Sequence, residues 1–404
     1  MGFLSIVSIL LAVNLGATPM EIGWIGTTYG LMYTLVPMLI GPLTDRISRK
    51  VNLLIVTGAQ TVTVLFYIFA VNTFMDLIIG QAIYGILYSV FWVNGDAYIS
   101  EETETDSKRH HMTFFNYCVG WTLGSGLAPL FGGFFADLMV TTGFWLVFTI
   151  YIVGFCIVLI GIPNRPPMKI LKQMKASSPN EEVLSVVPSS STNTVSKSPS
   201  NPSSGTLSPA TSSTETLSSA SLSPKPLSPV ILLLFTLFQT AMVKILLGYF
   251  PNYAATPDGL GWSGTLLGRV IVWFGIARVL YFIAGRYWAN NFKILPIFLI
   301  LLGGIVLQFV WVKDPFVYGI LFAFAGLLIA RTYITVFETM IGQEKAAKGA
   351  KAGLFESFLG IGMSLTPLIA GWLGNFHLLL PFLIFGIVTM SFGCGMLVYF
   401  RRAP

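Results

Sequence analysis

Ionisable residues inside long apolar stretches are the places where this chain could do chemistry. They include Asp96, Lys244, Arg269, Arg278, Arg331, Glu338 and Glu356. A charge in an apolar medium is costly, so such residues mark either a binding task or a paired lock. Arg331, Thr335 and Glu338 follow at i, i+4 and i+7, which puts them on one helix face. Lys244 continues a stripe through Thr236 and Thr240, with Gln239 beside it. Gln81, Tyr84, Tyr88 and Trp92 repeat at helical spacing, and Asn14 is polar within the first apolar run. Lys244 and Arg331 could act as counter-charges to a carboxylate, or each could pair with an acid and lock two helices together. Asp96 and Glu338 could carry a coupling proton if their surroundings favour the neutral acid. Arg278 and Glu356 fall near the ends of their runs, where snorkelling or loop pairing accounts for them, and the same holds for Arg269 at the opposite side.

Other chemistries find little support. His110, His111 and His377 have no metal-ligand spacing, and no glycine loop precedes a lysine in the manner of a phosphate cradle. Cys118, Cys156 and Cys394 lie singly in apolar runs and read as small buried hydrophobes. No enzyme activity, metal or cofactor is expected. Charged residues make up 10% of the chain and hydrophobic ones 54%, against about 25% charged in soluble domains. With a mean hydropathy of +0.76, a protein that crosses the bilayer many times is the ordinary reading. The net charge of +6 is therefore a topology signal and not a sign of nucleic acid.

The elements that must position these residues are apolar runs near the roughly 20-residue crossing length. Six precede residue 163: Gly2–Thr18, Ile22–Ile40, Val51–Val71, Met75–Ser100, Met112–Ala136 and Thr141–Ile162. The first is short, so either it runs on to Thr18 or the chain begins inside a longer protein. Residues 164–228 are rich in Ser, Pro and Thr and should be a disordered linker. Six further runs follow within 229–404: Pro229–Phe250, Trp262–Ala284, Phe292–Val312, Phe316–Thr339, Ala352–Leu373 and Leu378–Phe400. Lys and Arg gather in alternate turns, at Arg46, Arg49, Lys50, Lys108, Arg109, Arg286, Lys293, Lys345, Lys348 and Lys351. That bias puts those turns, the linker and both termini in the cytoplasm.

The turn between the second and third runs reads Gly41-Pro42-Leu43-Thr44-Asp45-Arg46-Ile47-Ser48-Arg49-Lys50. It resembles the signature loop of the major facilitator superfamily, with Ser48 where a second glycine is usual. An internal repeat agrees with that resemblance. Gly23-Trp24, Gly26-Thr27 and Gly30 recur at an offset of 238 positions, 23 to 261, as Gly261-Trp262, Gly264-Thr265 and Gly268. Gly124, Leu127, Pro129, Leu130 and Gly133 recur at the same offset as Gly362, Leu365, Pro367, Leu368 and Gly371. Tyr84-Gly85-Ile86-Leu87 recurs near that register as Tyr318-Gly319-Ile320-Leu321. The glycines and prolines of the fifth and eleventh runs read first as close helix packing.

The resemblance implies an all-α membrane protein of twelve transmembrane helices in two pseudo-symmetric six-helix bundles, residues 1–163 and 229–404. It implies that spans one, four, seven and ten line a central cavity. Asn14, Gln81, Tyr84, Tyr88, Trp92, Gln239, Lys244 and Arg331 would then contact a small solute, anionic or zwitterionic or drug-like. It also implies a cytoplasmic latch of Gly41, Asp45, Arg46 and Arg49 with Asp96, or with Glu101 in its place. The function implied is secondary active transport by alternating access in the cell membrane, as a monomer, with protons as the coupling ion. A member that senses a nutrient without moving it, using the linker as a signalling arm, is the alternative.

Overall fold

The computed structural model describes residues 2–44, 47–102, 107–163, 229–285, 291–341 and 348–402. Twelve helices and a short 3-10 turn at Phe292–Ile294 account for the regular structure among them. The first six are α1 (Gly2–Asn14), α2 (Pro19–Thr44), α3 (Arg49–Phe69), α4 (Phe74–Glu102), α5 (Ser107–Leu138) and α6 (Val140–Gly161). α7 runs over Pro229–Lys244, passes through a π-turn at Ile245–Tyr249 and ends as Phe250–Ala255. Then come α8 (Gly264–Gly285), α9 (Leu295–Gln308), α10 (Pro315–Ile341), α11 (Lys348–Phe376) and α12 (Leu380–Arg402). The linker expected at 164–228 lies outside the described residues.

Local chemistry sets the boundaries that hydropathy alone misplaces. α1 stops at Asn14 and does not reach Thr18. Gly16 adopts φ +76°, and the Ala17 and Gly16 N–H groups return to the Ala12 and Val13 carbonyls, each at 3.0 Å. This glycine-dependent closure satisfies the last carbonyls of the helix. α2 starts at a reciprocal cap: Thr18 N–H donates to Glu21 Oε2 at 2.7 Å, and Glu21 N–H donates to Thr18 Oγ1 at 3.3 Å. Thr73 and Asp76 cap α4 in the same way. Asp314 starts α10 by accepting from the Phe316 and Val317 N–H groups.

Nine of these helices are long and apolar enough to cross a membrane among the described residues; α1 and α9 are shorter apolar helices. Their burial sorts them. In α6 and α12 only 22% and 28% of the apolar window is covered by protein, against 67% in α10 and 61% in α7, α8 and α11. α6 and α12 are therefore outer helices whose apolar side chains, such as Ile160, need a nonpolar solvent. Cys156 and Cys394 sit on this outer surface; only Cys118 is buried, so the expected burial of all three does not hold.

The first six helices pack among themselves through α2 with α4, α3 with α4 and α6, and α1 with α5. The last six do so through α8 with α10, α9 with α12, and α7 with α10 and α11. Two long seams join the halves, α2 against α11 and α5 against α8. Glycine makes both seams close. A methyl group at Gly126 would lie 2.6 Å from Gly275 Cα, and one at Gly23 would lie 2.7 Å from the Pro367 carbonyl oxygen. Gly133 meets the Gly264 carbonyl, Pro129 meets Gly268, and Gly371 meets Pro19 and Gly23. Gly362 instead packs on Thr240 of α7 within its own half. Gly124 meets nothing within 4 Å, so the packing expected there falls to Gly126, half a turn along.

Candidate functional site

A cavity of about 140 Å³ opens between the two sets of six helices. That is close to the size that accepts a benzene ring in an engineered protein interior, about 150 Å³. α4 contributes Tyr88 and Trp92, α2 contributes Tyr33, and α5 contributes Trp121, Ser125 and Pro129. From the other half come Gln239, Thr240, Lys244 and Leu247 of α7, Arg278 of α8, Tyr333 of α10, and Glu356 and Met363 of α11.

The first-half wall is an aromatic stack. Tyr29 lies 5.8 Å from Tyr33 and from Tyr84, Tyr84 lies 5.3 Å from Tyr88, and Tyr88 meets Trp92 edge-on at 5.6 Å. Tyr84 is fully buried and its hydroxyl accepts from Tyr151 at 2.9 Å, so it backs the wall without reaching the cavity. Such offset and edge contacts each add about 0.5–1.5 kcal/mol beyond area burial, which makes the wall stiff.

The two cations are held by rings. Lys244 Nζ sits 4.8 Å from the Tyr29 ring centroid, across the seam between the halves. The Arg278 guanidinium lies 4.5 Å from Trp121, also across the seam, and 5.3 Å from Phe274. Both are buried, and among the described residues neither has a carboxylate within ion-pair distance. Arg278 Nε receives no partner there. Cation–ring attraction reaches about 2 kcal/mol when desolvated, yet it leaves the N–H donors unspent. Lys244 is also the residue just before the π-turn of α7. A π-turn inserted in a helix is a frequent mark of a functional position.

The acids lie together at the side nearer the α2–α3 turn. Tyr117 donates its hydroxyl to Asp96 Oδ1 at 2.8 Å, and Tyr33 donates to Glu356 Oε2. Both carboxyls are buried. Beyond them, Phe114 of α5 stacks on Phe337 of α10 at 4.2 Å. At the opposite end Asp137 of α5 accepts from the Gly264 and Thr265 N–H groups of α8 at 2.8 and 2.7 Å. Contacts between the halves thus flank the cavity on both sides.

Several expected site residues lie elsewhere. Asn14 ends α1 exposed, because the helix stops there, and α1 reaches the cavity through Ser5 and Ile6 instead. Gln81 is buried against α1, donating to Ser8 Oγ at 3.2 Å. Gln239 lines the cavity while donating to the Ile329 carbonyl. Arg331 is buried but donates to Tyr281 of α8 at 2.8 Å, outside the cavity wall. Glu338 is half-buried near Tyr281 and Cys118, also away from the lining. Asp96 is buried and accepts from the Tyr117 hydroxyl at 2.8 Å. Asp45 and Arg46 lie outside the described residues, as do the surroundings of Gly41 and Glu101.

Sequence reasoning set Arg278 and Glu356 aside as snorkelling or loop-pairing residues, but both are buried and line the cavity. It also missed Tyr29, Tyr33, Trp121 and Tyr333. The signal was present as aromatic pairs at i, i+4: Tyr29 with Tyr33 on α2, Tyr117 with Trp121 on α5, and Tyr333 with Phe337 on α10.

A model of the Major Facilitator Superfamily matches residues 1–343. Over 137 residues the chain is 30% identical to an uncharacterized MFS-type transporter of Methanocaldococcus jannaschii. That match covers 34% of this chain and 35% of the relative, so about a third of the relative's length is spanned. The fold is similar to the crystal structure of the nucleoside transporter NupG, with a TM-score of 0.64 at 12% identity over 100% of this chain and 95% of that one. It is equally similar to the human organic anion transporter MFSD10, with a TM-score of 0.64 at 14% identity over 98% and 97% of the two chains. Twelve helices in two repeat-related sets, a cavity between them and a family match over most of the length give one conclusion: the chain belongs to the Major Facilitator Superfamily.

Proposed function

We propose that this protein moves a small organic anion across a membrane by alternating access, coupled to protons. The carrying observation is the pair Lys244 and Arg278, two buried cations on aromatic rings that line a benzene-sized cavity and have no bound carboxylate among the described residues. An anion with a flat apolar body would spend those donors and cover Tyr88, Trp92 and Trp121. The structural likeness to an organic anion transporter agrees with this reading, and the one to a nucleoside transporter offers an uncharged competitor. The seams α2–α11 and α5–α8 would be the surfaces that rock, as in two-repeat transporters. The turns rich in Lys and Arg would face the cytoplasm, with both ends of the chain on that side and the protein acting as a monomer in the cell membrane.

Purified protein in proteoliposomes tests the proposal. Labelled benzoate, an uncharged nucleoside and a zwitterionic amino acid would be offered with and without a pH gradient. Gradient-dependent accumulation of benzoate supports the reading. Flux of the nucleoside alone, or of none of the three, contradicts it.

A further inference from the structure

α8 and α10 pack side by side and meet backbone to backbone at Gly326, where an added methyl would collide with the Phe274 carbonyl oxygen. Toward the starts of both helices, at the end of the molecule opposite the α2–α3 turn, a groove of about 410 Å³ opens between them. A methyl at Gly319 would lie 3.1 Å from Trp273 Cδ1, so a glycine there lets the indole rest against α10. Phe316, Ile320 and Phe324 follow at i, i+4 and i+8 and form one exposed apolar stripe along the groove. Arg269 lines the shallow end, one turn before Trp273 on α8.

Arg269 is exposed, yet it lies about 8 Å past the start of α8, within the apolar length of that helix. Among the described residues it has no hydrogen-bond or ion-pair partner. A guanidinium carries five donors, and a charge left unpaired at membrane depth is costly. Helical Cβ atoms tilt toward the helix N-terminus, so this side chain leans to the nearer membrane face. The fold itself asks for no cation at this place. At the 238-position offset of the repeat, Arg269 and Trp273 match Leu31 and Leu35 of α2, both exposed and apolar. The acid at the rim, Asp314, is spent on the Phe316 and Val317 N–H groups. With exposed Lys313 beside it, the rim stays net positive.

We propose that this groove binds one phospholipid of the leaflet opposite the α2–α3 turn, with its phosphodiester on Arg269 and one acyl chain along Trp273, Phe316, Ile320 and Phe324. The guanidinium fork matches two phosphate oxygens at once, which a hydrated ammonium does not. Basic pockets between membrane helices hold lipid head groups by the same chemistry. One cation at the membrane-face end of an apolar groove fits an amphiphile charged at one end, whereas a free anion would leave the stripe uncovered. The volume falls within that of ordinary ligand pockets, roughly 300–1,000 Å³. The groove lies outside the central cavity, and its occupant does not depend on the transport reading.

The full purified chain, stripped of lipid in detergent, would be titrated with dioleoylphosphatidylglycerol, with dioleoylglycerol, which lacks the phosphate, and with inorganic phosphate. Bound molecules would be counted by native mass spectrometry. One phosphatidylglycerol is expected to be retained, and to bind roughly 10-fold or more weakly in Arg269→Gln, the loss of one charge-assisted bond. Ala323→Trp, which fills the apolar part of the groove and leaves Arg269 in place, is expected to weaken it as well. Dioleoylglycerol that binds as tightly would mean an apolar contact alone, and inorganic phosphate that displaces the lipid would mean a head-group site alone. Either result, or equal retention in Arg269→Gln, would overturn the proposal. A second measurement needs no variant: phosphatidylglycerol with a photoreactive acyl chain should label peptides within 266–273 and 315–324 of the parent protein. Labelling spread evenly over the exposed faces of α6 and α12 would equally overturn it.

Discussion

Along α2 and α11, Gly23 meets Gly371 and Gly26 meets Pro367; along α5 and α8, Gly264 meets Gly133 and Gly268 meets Pro129. The internal repeat makes these residues counterparts of one another: Gly26 of Gly264, Gly30 of Gly268, Pro367 of Pro129 and Gly371 of Gly133. Strict symmetry would set Gly264 against Pro129, yet it lies against Gly133. One seam is slid against the other by three to four residues, which is one helical turn. Their ends differ as well. Asp137 places a carboxylate on the first N–H groups of α8 with two bonds of 2.7–2.8 Å, whereas its counterpart Asn375 accepts one bond from Met20 N–H at 3.3 Å. A charge on a helix N-terminus gains from the dipole, and a neutral amide gains little. So the seam that carries Glu356 is the one held more weakly at its far end. Equivalent glycine surfaces that settle a turn apart show that this kind of contact has more than one register, which the rocking proposed above would require.

The sharpest way to break the comparison is to fill the glycines. Gly133→Ala drives a methyl into the Gly264 backbone, which no side chain can relieve, and should cost about 1–3 kcal/mol in thermal or denaturant unfolding in detergent. Gly124→Ala, nine positions earlier in the same helix and facing open space, should instead gain about 0.5–1 kcal/mol from helix propensity. A loss of stability at Gly124 would mean that the seam lies elsewhere. Next in size, Asp137→Ala removes a charged cap and should cost about 1 kcal/mol, while Asn375→Ala should cost about half of that or less. Equal losses would remove the asymmetry. Smallest, raising salt from about 0.05 M to about 0.5 M should shrink the Asp137→Ala effect, because this cap is exposed, and leave Asn375→Ala unchanged.

The fold was legible because hydropathy, the charged turn and the repeat all answer to the bilayer, and each repeats along the chain. Boundaries were less so. α1 ends where Gly16 takes a left-handed turn, and a hydropathy window does not register one glycine. Of the site, Tyr88, Trp92, Gln239 and Lys244 lie on the helices expected to line the cavity and do line it. Arg331 lies on such a helix too, but its rotation hands the guanidinium to Tyr281. Arg278 and Glu356 were discounted on depth, yet depth measured along one helix does not reveal how far a cavity extends beside it. Which residues meet across the seam depends on register between distant segments, and the one-turn slide shows that even the repeat does not fix that register.

The most direct measurement is labelled benzoate uptake by the Lys244→Met variant beside the parent in the same proteoliposomes. Methionine keeps the length and apolar contact of lysine and removes the charge. A lost charge-assisted hydrogen bond of about 1.5–3 kcal/mol should raise the half-saturating concentration roughly 10- to 100-fold. Uptake that is unchanged in Lys244→Met would contradict the assignment of this cavity to an organic anion.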